Sequence, residues 1–143
     1  MKIREFLPPD EAMMRSLGES LAAGFKPGDV ITLSGPLGAG KTTLAQGIAV
    51  GLGIALPITS PTYVLLNEYP GAPALLHLDA YRLEEADEAT LRDAGIDEAL
   101  ARPDAVKLIE WPEMILPWLR DVKWTIVIEP GPAGGRRVEV REF

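Results

Sequence analysis

Apolar positions along this chain follow two rhythms that alternate. Ile3–Phe6 alternates apolar with polar, the period of a half-buried strand. Pro8-Pro9-Asp10-Glu11 is a helix-start signal, with proline in the first turn and acids near its positive end. The predicted helix runs to about Ala23. Met14, Leu17 and Leu21 form its apolar stripe, Met13 is also read as helix packing, and Gly24 ends it. Asp29–Ser34 is a buried strand, and a second helical run from Thr43 ends near Gly51-Leu52-Gly53. The proline-bent loop Thr59-Ser60-Pro61-Thr62-Tyr63 leads into a strand, Val64–Tyr69. The turn Pro70-Gly71-Ala72-Pro73 lets that strand pair as a hairpin with Ala74–Leu78. Charged, helix-compatible sequence follows from Glu84 to about Leu100, broken at Gly95, and Ala105–Ile109 is another buried strand. Lys123–Glu129 and Arg137–Glu142 are late strands around the turn Pro130–Gly135.

Alternating strands and helices predict a three-layer α/β/α fold, with a mainly parallel central sheet and antiparallel edge strands. At 143 residues the expectation is a single domain with a real core and no separate lid. The hydrophobic fraction, 47%, is that of an ordinary folded chain. The absence of cysteine excludes disulfides and thiolate metal sites. No apolar run reaches membrane-spanning length, and the start of the chain lacks a signal peptide's apolar block, so no membrane association and a cytoplasmic location are expected. The net charge of −7 argues against extensive direct nucleic-acid binding and suits a chain whose partners are proteins.

The chemistry begins at Gly35-Pro36-Leu37-Gly38-Ala39-Gly40-Lys41-Thr42, which fits G-x-x-x-x-G-K-[ST] at every fixed position. It sits between the run Val30-Ile31-Thr32-Leu33 and a helix, the context a phosphate-binding loop requires. Glycines free the backbone to form a cradle for anionic oxygens, and the helix adds its N-terminal partial positive charge. The loop backbone is therefore the predicted phosphate cradle. Lys41 is expected to reach the outer phosphates and the Thr42 hydroxyl to bind Mg²⁺.

Such a loop needs an acid at the end of a neighbouring strand to organise the metal and its waters. Two strands end that way, one running into Asp79 and the other into Glu110. Both face the loop if their strands run parallel to the loop strand. Asp79 is then suited to hold Mg²⁺ through water, and Glu110 either to ligate it or to orient the attacking water. Thr62 is either a hydroxyl that senses the γ-phosphate in a switch-like loop or plain turn chemistry. Arg82 serves either phosphate charge or a surface ion pair. His77, the only histidine, reads as a packed or half-exposed imidazole inside a strand rather than a ligand. Trp111 stacks, covers the site or packs, while Trp118 and Trp124 read as core or edge residues.

The loop implies a nucleotide with Mg²⁺ but not which base. No Asn-Lys-x-Asp tetrapeptide is present, which favours ATP over GTP. The Leu83–Asp104 segment carries only Arg92 and Arg102 among many acids, a poor kinase lid. From the residues alone the reading is a small ATP-binding domain, a weak ATPase acting on or with a protein. A small-molecule kinase and an ATP-gated adaptor without significant hydrolysis are the alternatives.

Four blocks occur in order: Gly-Pro-Leu-Gly-Ala-Gly-Lys-Thr-Thr at 35–43, Thr-Ser-Pro-Thr-Tyr at 59–63, His-Leu-Asp-Ala-Tyr-Arg-Leu at 77–83 and Ile-Glu-Trp-Pro-Glu at 109–113. The set resembles the TsaE (YjeE) family, bacterial ATPases of tRNA threonylcarbamoyladenosine biosynthesis, over nearly the whole chain. The resemblance implies a P-loop NTPase fold and slow, Mg²⁺-dependent ATP hydrolysis. It also implies work with the TsaB–TsaD complex, which itself transfers the threonylcarbamoyl group to the adenosine beside the anticodon. Contact with tRNA is then indirect. By that likeness Gly38, Ala39, Gly40, Lys41, Thr42 and Thr43 cradle the phosphates of ATP, Lys41, Asp79 and Glu110 are the catalytic set, and Thr42 and Glu110 hold the metal. Thr62 belongs to the switch-like loop, Trp111 lies beside the site, and Arg136 occupies the place of a basic residue that approaches the nucleotide. Relatives often carry threonine early in the first helix, near the adenine. Here that stretch is Glu11-Ala12-Met13-Met14, which leaves open what frames the base.

Overall fold

The computed structural model describes residues 1–54, 66–81, 88–93 and 95–143. Thr62 and the rest of the 59–63 block, Arg82, and the expected element ends at 64–65 and 84–87 lie outside them. Seven strands form one sheet: β1 (Lys2–Phe6), β2 (Val30–Ser34), β3 (Leu66–Tyr69), β4 (Ala74–Asp79), β5 (Ala105–Glu110), β6 (Val122–Pro130) and β7 (Arg136–Glu142). Their spatial order is β1-β7-β6-β2-β5-β4-β3. β2 is parallel to both β5 and β6, and β4 is parallel to β5. β3, β7 and β1 pair antiparallel at the two sides. The sheet thus has the expected parallel centre and antiparallel edges. Asp79 and Glu110 prove to be the last residues of β4 and β5 rather than the first residues beyond them.

Helices α1 (Glu11–Ala22) and α2 (Lys41–Gly51) cover one face. Leu17, Leu21, Leu44 and Ile48 pack there against Ile31, Leu33, Val106, Leu108, Ile126 and Ile128. On the other face, Leu91 of α3 (Glu88–Asp93) and Ile96 of α4 (Ile96–Leu100) join Ile115, Val30, Leu78 and Ile109. Two short 3₁₀ turns, Pro112–Met114 and Leu116–Trp118, follow β5. β2 and β5 are buried along almost their whole length, as strands covered on both faces must be.

Asp10 is the N-cap of α1; its Oδ1 accepts from the Met13 amide at 2.9 Å. Asp10→Ala is expected to cost about 1 kcal/mol, read as a lower urea midpoint at unchanged slope. Met14 is buried but Met13 is half-exposed. The apolar face runs through Met14, Leu17 and Leu21, and Met13, one residue round the helix, misses it. Gly24 also has a different role from the one expected. It is absent from the positive-φ glycines and α1 ends on Ala23 in right-handed geometry. A Cβ on Gly24 would lie 3.2 Å from the Trp124 ring, so close packing explains the residue.

Candidate functional site

The loop between β2 and α2 takes the backbone path its glycines allow. Gly38 and Gly40 have φ of +77° and +106°, a region that side chains with a Cβ rarely enter. Gly35 is confined instead by β6: a Cβ there would lie 2.7 Å from the Ile128 carbonyl oxygen. The Ala39 amide donates to Pro36 O at 3.1 Å, and Leu44 N donates to Gly40 O at 3.0 Å as α2 begins. Thr42 and Thr43 are partly buried on the first turn of α2.

Lys41 opens α2 and folds back over the loop. Its Nζ donates to Gly35 O at 2.6 Å and lies 4.0 Å from the centre of the Trp111 ring. Burial lowers the pKa of this ammonium, while the charges of Glu110, Asp79 and Glu113 pull it back up. Those acids arrive by strand order. β5 lies beside β2 and β4 beside β5, all parallel, so their carboxyl ends share one edge of the sheet. Glu110 is in register with Leu33 on one side and with Asp79 on the other. Asp79 Oδ1 accepts from the Tyr81 amide at 3.0 Å, which fixes that carboxylate.

Trp111 has φ +57°, an uncommon conformation for an aromatic residue. The reversal turns its indole toward Lys41, and Tyr81 packs edge-on to it with ring centres 5.0 Å apart. The ammonium therefore rests on a π face between carboxylates, an arrangement that suits a cation awaiting a more anionic partner.

Arg136, the first residue of β7, reaches the loop from the far side. Its Nε donates to Ala39 O at 2.9 Å and one terminal nitrogen to Gly38 O at 3.2 Å. Its own amide donates to Pro8 O at 3.0 Å. These bonds join three segments around a cavity of about 210 Å³ lined by Pro8–Glu11, Met14, Gly38–Gly40, Thr43 and Gly134–Arg136. Prolines, Met14, Thr43 and the glycine-rich turn before β7 wall this cavity beside the loop. Its signal was only the helix-start string Pro8-Pro9-Asp10-Glu11, which reads equally as capping. The structure thus brings together Lys41, Asp79, Glu110, Trp111, Arg136 and the 38–43 loop.

Of the packed and half-exposed placements open to His77, the structure shows the packed one: it is fully buried, and its Nε2 is 2.5 Å from Glu110 Oε2, so it belongs to the site. The signal was its place two residues before Asp79, on the same face of one strand. Among the described residues no group of three or more His, Cys, Asp or Glu is placed to hold a metal ion. One hydroxyl and two carboxylates beside a phosphate loop are oxygen donors that would suit Mg²⁺, an ion that keeps waters and takes further oxygens from phosphate. No described helix is long and apolar enough to cross a membrane.

The whole chain compares closely with known proteins. The family model described as "Threonylcarbamoyl adenosine biosynthesis protein TsaE" matches residues 8–138. A relative from Mycobacterium tuberculosis, named tRNA threonylcarbamoyladenosine biosynthesis protein TsaE, is 48% identical over 103 residues, 68% of this chain and 59% of its own length. Relatives of the same name from Bacillus subtilis and Nostoc are 42% and 41% identical, over 85% and 89% of this chain and 73% and 76% of theirs. The chain thus spans less than two thirds of the mycobacterial relative. The crystal structure of Bacillus subtilis YdiB superposes with a TM-score of 0.75 at 32% identity, covering 99% of this chain and 86% of that one, and the shared fold is that of the P-loop NTPases. A match that takes in the loop at Gly35–Thr42, both strand-end acids and Arg136, on a shared fold, makes this chain a member of the TsaE family.

Proposed function

We propose that this protein binds and slowly hydrolyses ATP, and that it serves threonylcarbamoyladenosine modification of tRNA together with a TsaB–TsaD complex. What carries the ATPase reading is the meeting of Lys41, Asp79 and Glu110 at one edge of the sheet beside the loop. The family name supplies the tRNA modification; the partner complex comes from the family resemblance and from the acidic balance of the chain. In this reading tRNA is reached only through the partner.

Binding is divided among three groups of residues. The cavity beside Pro8, Pro9 and Met14 receives the base, and Arg136 holds the loop backbone from below. The 38–43 backbone cradles the phosphates. Lys41 then exchanges Gly35 O and the Trp111 face for phosphate oxygens, where its charge opposes the negative charge of the transition state. Thr42 and Glu110, with Asp79 beside them, would hold Mg²⁺, which neutralises phosphate charge when bound. Glu110 is also the group suited to orient a water for attack.

The discriminating experiment is Glu110→Gln, which keeps the shape of the buried side chain and removes its charge. ATP and ADP are expected to bind nearly as in the wild type, while hydrolysis falls by about 10²-fold. Unchanged hydrolysis removes Glu110 from the chemistry. Unchanged tRNA modification over many turnovers, with hydrolysis lost, replaces the ATPase reading with that of an ATP-gated adaptor. Phosphate transfer to a metabolite by this protein alone would make it a kinase.

A further inference from the structure

Glu110 and His77 are 4% and 0% exposed, deeper than polar groups are usually placed. Both lie on the α2 face of the sheet. Along β4, Leu75, His77 and Asp79 share that face, while Leu76 and Leu78 pack on the other. Along β5, Val106, Leu108 and Glu110 do the same. In the β4–β5 register Asp79 stands opposite Glu110, and His77 opposite Leu108. His77 therefore sits one diagonal step behind Glu110, further from the edge of the sheet that carries the loop. Two long side chains span that diagonal, and Nε2 meets Glu110 Oε2 at 2.5 Å.

The other ring nitrogen determines what the contact is. Nδ1 is buried with no hydrogen-bond partner among the described residues. With the proton on Nε2, the ring donates to the carboxylate and leaves only a bare acceptor behind. With the proton on Nδ1, a lone pair faces a carboxylate and an N–H is buried without an acceptor. Leaving a buried donor unsatisfied is costly, so the Nε2–H form is selected.

We propose that His77 is a positioning residue for the phosphate-loop chemistry: its Nε2–H holds Glu110 by Oε2, so that Oε1 is the oxygen presented to the metal ion or the attacking water. A carboxylate tethered at one oxygen loses its freedom to rotate, and partners one shell away from reacting groups act in this way. The inference rests on the ATPase reading of the site. His77 itself touches neither nucleotide nor water.

Two variants and one spectrum test it. His77→Leu keeps an apolar side chain in the buried position and removes the donor; His77→Gln restores an N–H at about the reach of Nε2. Turnover of ATP is expected to fall about 10–100-fold in His77→Leu and to recover most of the way in His77→Gln. The KM for ATP and the affinity for ADP should stay within about threefold of wild type in both, because uniform binding is untouched. His77 is the only histidine, so ¹⁵N NMR of the nucleotide-free protein gives one imidazole, expected with a protonated Nε2. Wild-type turnover in His77→Leu, equal impairment of the two variants, or an Nε2 that carries no proton would each overturn the inference. A wild-type protein that hydrolyses no ATP would instead sink the ATPase reading, and this inference with it.

Discussion

Lys41→Ala is expected to bring ATP hydrolysis to background, a loss of at least about 10²-fold. In the free protein the ammonium donates to Gly35 O and rests on Trp111. Alanine removes the charge that offsets the acids of the site, so bringing in phosphates beside Asp79, Glu110 and Glu113 becomes less favourable. Nucleotide affinity should therefore fall together with turnover. The fold should survive, since one partly buried carbonyl loses a donor and no packing layer is opened. Near-native melting with no hydrolysis is the expected pair of results. The same variant should fail to restore threonylcarbamoyladenosine in a strain depleted of the protein. Full restoration would detach the loop from the function.

The parts of the site that were legible in the sequence are the local ones. Strand, loop and α2 follow one another within a short stretch, and the requirement for positive φ at Gly38 and Gly40 is written into the residue type. Asp79 and Glu110 were legible as candidates because each ends an apolar run. Their meeting depended on β5 lying between β2 and β4, a long-range outcome that neither run encodes by itself. The cavity proposed for the base was not legible. It forms where the link before α1, the phosphate loop and the turn before β7 converge, and the bonds from Arg136 to Pro8, Ala39 and Gly38 join segments far apart in the chain. The role of His77 was hidden for the same reason, since its partner is 33 positions away. Thr62, the switch-like candidate, lies outside the described residues.

The contact between α1 and α2 was the least legible feature and carries the second large effect. Gly47→Ala is expected to destabilise the protein by about 1–3 kcal/mol, the usual cost of forcing extra volume into a packed interface. In an open helix the same change would be favourable by up to about 1 kcal/mol. Here a Cβ on Gly47 would lie 2.1 Å from Arg15 O. On the facing helix a Cβ on Gly18 would lie 2.5 Å from Leu44 O, and one on Gly51 would meet Ala22 Cβ at 2.6 Å. The obstacles at Gly47 and Gly18 are backbone atoms, which cannot swing aside, so the helices themselves must separate. The melting temperature should drop by about 4 °C for each kcal/mol. Val50→Ala, on the exposed side of α2, should stay within about 0.5 kcal/mol of wild type. The interface also bears on the proposed function, because α2 begins at Lys41 and the cavity proposed for the base is walled by Met14 of α1 and Thr43 of α2. Separation of the helices should weaken ATP binding even at temperatures where Gly47→Ala is fully folded. A variant with wild-type melting would show that the helices have slack to absorb a methyl group. A destabilised variant with unchanged ATP affinity would show that the phosphate loop is held by β2 and Arg136 and not by the packing of α2.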